Sequence, residues 1–233
     1  MDLNTGLLIL GALYIVKRNG GGGELTEKIF LDKTKALSIE IDRPSWFSSS
    51  KSQARELAPF LSTECNRLQS RNKLSGADIA AILGNCCYES GFWWYTEEQI
   101  SDSEANKRYN DNPALGNTES GDGARFKGRG VIQLTGRKNY TDFQADTGLG
   151  VLDNPGLLAE AQNAVKPVVW YCETYKAKDT GRTIVEALPT LDTIEEKARV
   201  AGSIIYAGKE NISSSLLEKG KFETRIRYAK AYL

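Results

Sequence analysis

The sequence contains no histidine. That single absence removes Ser-His-Asp and Cys-His nucleophilic catalysis and every imidazole-bearing metal site, because each needs that ring. There is no excess of charge either: 30 Lys and Arg offset 30 Asp and Glu. Without a global positive field to condense on phosphates, no nucleic-acid partner is expected. Cysteine is scarce. Cys65, Cys86, Cys87 and Cys172 form no CxxC framework, and the adjacent Cys86 and Cys87 are poorly placed to pair with each other. Reduced, buried thiols are the expected state, with a bridge from Cys65 to Cys172 or Cys86 as the alternative in an oxidising compartment. No internal repeat is present.

What is there belongs to an ordinary globular protein. The 233 residues are 40% hydrophobic and 26% charged, which excludes disorder as the main state and suffices for one domain plus a remainder. With imidazole gone, acid–base chemistry near neutral pH falls to carboxylates, lysines and tyrosines, and a carboxyl needs a raised pKa to serve as an acid.

The one membrane candidate is at the start. Leu3 to Val16 carries no charge and is closed by Lys17, Arg18, Asn19 and four glycines, Gly20 to Gly23. As a helix it measures ~21 Å against a hydrocarbon core of roughly 30 Å, so a span requires local thinning or snorkelling of the basic pair. The basic pair follows the apolar stretch instead of preceding it, which speaks against a cleaved signal peptide. By the positive-inside rule the remainder lies on the cytoplasmic side. The alternative is a buried N-terminal helix. Residues 1–23 are therefore read as an anchor and tether, and 24–51, with mixed charges, Pro44 and the serines 48–50, as a linker or stalk in which 36–42 alternates like a lone strand.

From residue 52 the pattern is helical. Ala54, Leu57, Ala58, Leu61 and Cys65 recur at three- and four-residue steps. Ser75 is a plausible N-cap for a helix with Asp78 in its first turn and Ile79, Ile82, Leu83 and Cys86 as its apolar stripe, stopped by Gly91. Residues 101–123 read as loop and 125–135 as a glycine-punctuated strand or hairpin. Helical spacing returns at 157–175, 193–206 and 213–233, with Pro155 and Pro167 near starts or kinks. The fold class is mainly α (α+β), a helical domain at 52–233 with a small β-hairpin.

Glu89 falls on the apolar side of its helix near the helix end, where partial desolvation favours a general acid; release to solvent or pairing with Arg108 is the plainer alternative. Glu98 stands nine residues on, half a revolution away in an unbroken helix, so the two carboxylates share a cleft only if Gly91 lets the chain double back.

The runs Tyr88-Glu89-Ser90-Gly91-Phe92, Tyr95-Thr96-Glu97-Glu98, Leu115-Gly116-Asn117-Thr118 with Gly121-Asp122-Gly123, and Arg125 to Tyr140 (RFKGRGVIQLTGRKNY) together resemble the family-19 glycoside hydrolases, chitinases and phage endolysins of lysozyme-like helical fold. The resemblance covers about residues 52–233. It implies Glu89 as general acid and Glu98 as general base of an inverting hydrolysis, for which the two carboxyls stand roughly 6.5–9.5 Å apart. Glu97 is then the decoy neighbour and Asp111 a weaker rival for the base. The resemblance carries Gln133, Thr135 and Asn139 over as substrate- or water-positioning residues. Among the aromatics suited to stacking on sugar rings, Trp93, Trp94, Tyr95 and Tyr109, the candidates are Tyr95 and Tyr109.

Two departures stand out. The family's histidine before the acid is Tyr88, and its late Asn-Gly-Gly-x-Asn-Gly motif is Tyr206-Ala207-Gly208-Lys209-Glu210-Asn211. The expected function is hydrolysis of a β-1,4 glycosidic bond of peptidoglycan by an endolysin-like or virion-associated phage enzyme. The alternatives are a chitinase, or an inactive wall-binding or structural virion protein. No metal or organic cofactor is implied, since carboxylates and water suffice. The expected location is a membrane, reached through residues 3–16: a phage virion membrane, or the host inner membrane or periplasm. Residues 89–122 hold eight acids against Lys107 and Arg108, and 123–138 five bases and no acid, which suggests a cleft with two kinds of wall.

Overall fold

The computed structural model describes residues 23–49 and 52–233. The apolar stretch 3–16 lies outside them; among the described residues no helix is long and apolar enough to cross a membrane.

The centre of the molecule is a helix whose sequence specifies both its start and its stop. In α4 (Gly76–Glu89), Ser75 accepts from the Asp78 N–H while Asp78 accepts from the Ser75 N–H, a reciprocal cap. At the other end Gly91, Phe92 and Trp93 all adopt left-handed backbone (φ +59°, +64° to +65°), so the chain reverses as soon as Glu89 is passed. Ten of the fourteen residues of α4 are buried. Its neighbours are α11 (Ile194–Ala207) and α13 (Phe222–Tyr232). Contact with α13 depends on Gly84: a Cβ there would lie 2.3 Å from the Ala229 backbone nitrogen. Gly84→Ala is therefore expected to push two core helices apart and lower stability by about 1–3 kcal/mol, read from the thermal midpoint; an unchanged midpoint would refute this close approach. Across α4, Asp78 also accepts from the buried Lys197 ammonium at 2.7 Å, tying the start of α4 to α11.

Residues 24–49, the described part of the expected stalk, are largely packed helix. They form α1 (Glu27–Glu40) and α2 (Pro44–Ser48), and α1 packs on α3 (Ala54–Asn72) and α13. Phe30 and Leu37 are fully buried; Phe30 meets Trp93 edge-on at 5.2 Å and stacks on Tyr232 at 6.0 Å. The lone strand at 36–42 is part of this helix and its end. The sequence pattern hid α1 because its inner face is narrow and half polar: Phe30, Thr34, Leu37 and Ser38. Thr34 is tolerated inside because its hydroxyl bonds the Phe30 carbonyl and the Tyr232 hydroxyl.

The loop expected at 101–123 contains α5 (Asp102–Tyr109), the 3-10 turn Pro113–Leu115 and the start of α6 (Asp122–Arg125). Only Ala105 of α5 is buried, so there was no apolar period to detect; Ser101 caps it by accepting from the Glu104 N–H. The hairpin at 125–135 is likewise reduced. Among the described residues pairing consists of isolated antiparallel bridges, Glu97 with Arg129, Arg129 with Leu134 and Asn112 with Asn117, and no strand forms. Gly130 and Gln133 both take positive φ in the tight turn between Arg129 and Leu134. Then come α7 (Arg137–Thr147), the 3-10 turn Pro155–Ala159, α8 (Ala161–Ala164) and α9 (Lys166–Thr174), so 157–175 is broken where one helix was expected, with Pro155 and Pro167 in first turns as expected. The chain continues through α10 (Ile184–Ala187) to α11, and through α12 (Ser214–Lys219) to α13.

Two cores result. The large one surrounds α4; a smaller one gathers Phe126, Leu134, Tyr140, Phe143, Val151 and Leu158. The four cysteines are buried and free. Burial pushes the Cys65 thiol up to about 12 and raises the other three as well. They act as small apolar side chains.

Candidate active site

A cleft of about 920 Å³ runs between residues of the two cores. One wall carries Gln133, Thr135, Lys138 and Asn139; the other carries Tyr171, Tyr175, Ile205 and Tyr206. The first wall follows from the tight turn. Each of its three expected binding residues is fixed by donating to backbone: Gln133 to the Gly130 carbonyl at 2.9 Å, Thr135 to that of Gln133 at 2.8 Å, and Asn139 to that of Thr135 at 2.7 Å. The Gln133 amide oxygen would lie 2.7 Å from a Cβ on Gly128, so glycine at 128 leaves that side chain its place.

Glu98 stands directly behind this wall. Its N–H donates to the Gly128 carbonyl at 2.8 Å, and its Oε2 accepts from the Gly128 N–H at 3.3 Å. Its Oε1 accepts from the Tyr109 hydroxyl at 2.8 Å, with an Arg108 guanidinium nitrogen at 3.7 Å. The carboxylate is 20% exposed, held yet reachable. Tyr109 thus holds the carboxylate and is not part of the cleft lining, and its own hydroxyl pKa is raised by burial and by the bond to Glu98. Tyr109→Phe is expected to lower kcat about tenfold with little change in KM, since a hydrogen bond to a charged group contributes about 1.5–3 kcal/mol; a KM effect alone would make Tyr109 a binding residue.

Glu97, like Glu89, is held in an ion pair, although its side chain is 36% exposed. Its Oε1 pairs with Arg129 at 2.9 Å and with Lys127 at 3.4 Å, and Arg129 is buried. Asp111 is exposed on a left-handed turn and does not line the cleft. The doubling back that sequence required after Gly91 does occur, and it places Glu98 against Gly128 while Glu89 stays at the end of α4.

Glu89 is 23% exposed and pairs at 2.6 Å with the guanidinium of Arg225, itself 1% exposed. Arg108, the partner named in the alternative reading, pairs with Glu98 and Glu104 instead. Arg225 is the residue that sequence reasoning missed. It lies on the inner face of α13 between Phe222, Ile226 and Ala229, and a cation within that apolar stripe was the available signal. Its partners fill its donor fork: the Gly220 carbonyl at 2.8 Å, Asn85 Oδ1 at 3.1 Å and Glu89. Its flat face lies over the Tyr88 ring at 4.1 Å and 5.8 Å from that of Tyr206. Tyr88, where the family pattern has histidine, therefore seats the arginine that seats Glu89. Tyr206 continues the same stack into the cleft and is 44% exposed. Neither carboxylate lines the cleft itself; each is linked to a lining residue through a neighbour, Glu98 through Gly128 to Gln133 and Glu89 through Arg225 to Tyr206.

The aromatic run after Glu89 is mostly core. Trp93 is fully buried with its indole donating to Tyr232, and Trp94 donates to the Trp46 carbonyl. Tyr95 is 39% exposed but lies outside the cleft lining, edge-on to Trp94. The two charge runs do not make two opposed walls either, because they largely pair with each other: Lys127 and Arg129 with Glu97, and Arg137 with Glu119 and Asp122. Among the described residues no group of His, Cys, Asp and Glu is arranged to hold a metal ion.

No family model matches the chain. A glycosyl hydrolase family 19 domain-containing protein of Haemophilus influenzae is 35% identical over 72 residues, 31% of this chain and 36% of that protein, so the match spans about a third of the relative's length. Chitinase C from Streptomyces griseus superposes with a TM-score of 0.63 at 18% identity, over 92% of this chain and 95% of that one. A chitinase C mutant gives 0.62 at the same identity and coverage. Sequence over a third of its length and fold over nearly all of its length agree: the chain is similar to the family 19 glycoside hydrolases and has the fold of their chitinases.

Proposed function

We propose that this chain is a glycosidase that hydrolyses a β-1,4 bond of peptidoglycan with inversion, Glu89 acting as general acid and Glu98 as general base. The observation that supports the reading is a pair of part-exposed carboxylates, each one residue removed from the cleft lining, with Glu98 held by Tyr109 and Gly128 and Glu89 by Arg225. In such a reaction the acid protonates the leaving oxygen as the base takes a proton from water attacking the opposite face of the sugar. The stacked Tyr171 and Tyr175 rings, 4.5 Å apart, and Tyr206 supply apolar surface to the cleft for pyranose faces.

The test is to digest purified sacculi and, separately, chitin, and to follow the anomer of the first-formed reducing end by NMR. Soluble fragments from sacculi bearing the α-anomer support the reading; a β-anomer refutes inversion. Release from chitin alone favours the second reading, a chitinase, to which the names of the structural relatives point. Binding to sacculi without release from either polymer leaves an inactive wall-binding or virion protein.

The context we propose is a bacteriophage lysin, endolysin-like or carried in the virion, held at a membrane by residues 3–16. Fractionation of virions and infected cells tests this. A periplasmic form lacking residues 1–20 would replace the anchor with export.

A further inference from the structure

The cleft carries positive charge that its acids do not cancel. At the mouth of the tyrosine wall, the segment after α9 contributes Lys176 and Lys178 to the lining. Both side chains are exposed, and no carboxylate among the described residues forms an ion pair with either. The lining holds Lys138, Lys176 and Lys178 against Asp142 and Asp146, a net charge of +1: Asp142 pairs with Lys138, and Asp146 accepts from the Trp170 indole at 2.7 Å and pairs with neither Lys176 nor Lys178. Glu186 feels Lys176, but its carboxyl is drawn down first by the Thr183 backbone N–H.

The segment that presents these lysines is fastened at several points. The Lys178 N–H donates to the Gly208 carbonyl at 2.9 Å, and the Ala177 N–H to that of Arg182 at 2.8 Å. Asp179 accepts the N–H groups of Glu210 at 3.0 Å and Asn211 at 2.9 Å, and Arg182 forks onto Glu210, which is almost fully buried. These are residues of the altered late motif. The loop's ordering is thus complete before any ligand arrives, so two ammonium groups wait at the cleft mouth with little further backbone entropy to lose.

An uncharged N-acetylglucosamine polymer offers such a pair nothing, whereas a glycan bearing lactyl-peptide substituents offers carboxylates beside the sugar chain. We infer that Lys176 and Lys178 form a specificity subsite for the carboxylates of the peptide substituents of a muramyl glycan. The inference rests on the glycosidase reading and deepens it by naming what selects the polymer.

The test is co-sedimentation of the full chain with three probes: intact sacculi, sacculi stripped of their free carboxylates by carbodiimide-driven amidation with their peptide cross-links kept, and insoluble chitin. Glu89→Gln in all samples suppresses digestion. Intact sacculi are expected to bind about tenfold more tightly than stripped sacculi at low salt, a preference that falls as salt rises. The Lys176→Gln/Lys178→Gln double variant, checked for folding by circular dichroism, should abolish both the preference and its salt dependence. A preference that survives in the double variant, or equal binding of intact and stripped sacculi by the parent, overturns the subsite. Failure of the glycosidase reading looks different: the unsubstituted chain degrades no polymer while a lysine-dependent preference persists. Degradation of chitin alone with no effect of the lysines overturns the subsite and leaves the glycosidase standing.

Discussion

Glu89→Gln is expected to reduce kcat on the polymer by 10²–10⁴, the usual contribution of a positioned acid or base. The amide keeps the shape of the side chain and still accepts from Arg225, so the cleft is preserved while the transferable proton is lost. Glu98→Gln should cost as much for the opposite reason, because an amide takes no proton from water. The control is Glu97→Gln. Glu97 holds Arg129 and Lys127, so its loss should lower stability through those partners and reduce the rate far less than the other two variants. All three are compared by initial rate on sacculi or chitin, with urea unfolding run alongside. A Glu89→Gln protein that keeps wild-type kcat would remove Glu89 from the mechanism.

Arg225→Met should have the largest effect on stability, about 3–5 kcal/mol, because taking one partner from a buried pair leaves the other's groups desolvated and unpaired. Three acceptors lose their donor at once: Glu89, Asn85 Oδ1 and the Gly220 carbonyl. The Tyr88 and Tyr206 rings lose the cation that lies over them. Arg225→Lys should rescue little, since one ammonium does not reproduce a planar fork reaching three acceptors with its face on a ring. Urea midpoints measure this. A midpoint equal to the wild type's in Arg225→Met would mean that Arg225 does not hold α4 against α13.

How much of this was legible before the structure depends on how far apart the partners lie in the chain. The cap Ser75–Asp78, the stop at Gly91 and the apolar stripe of α4 are local and could be read directly. So could Glu89, Glu98, Gln133, Thr135 and Asn139 as candidates, through the motifs around them. Helix α1 was missed because half of its buried face is polar, and Thr34 becomes acceptable only once the Tyr232 hydroxyl, 198 positions away, stands opposite. The aromatic run 92–95 was ambiguous for a related reason: composition cannot say whether a ring faces sugar or core, and Trp93 faces Phe30 and Tyr232 while Tyr95 lies outside the cleft lining.

By itself the sequence determined the chemistry open to this protein. The absence of histidine left carboxylates to do the acid–base work, and local spacing fixed where α4 begins and ends. Only the tertiary structure decided what holds each carboxylate. Glu97 and Glu98 are neighbours in the chain, yet one is locked by Arg129 and the other is held beside the cleft by Tyr109 and Gly128. Glu89 depends on an arginine 136 positions later, buried among apolar side chains where one carboxylate, one amide and one carbonyl answer its charge. A buried charge must find its partners in space, and no pattern confined to neighbouring residues encodes where they are.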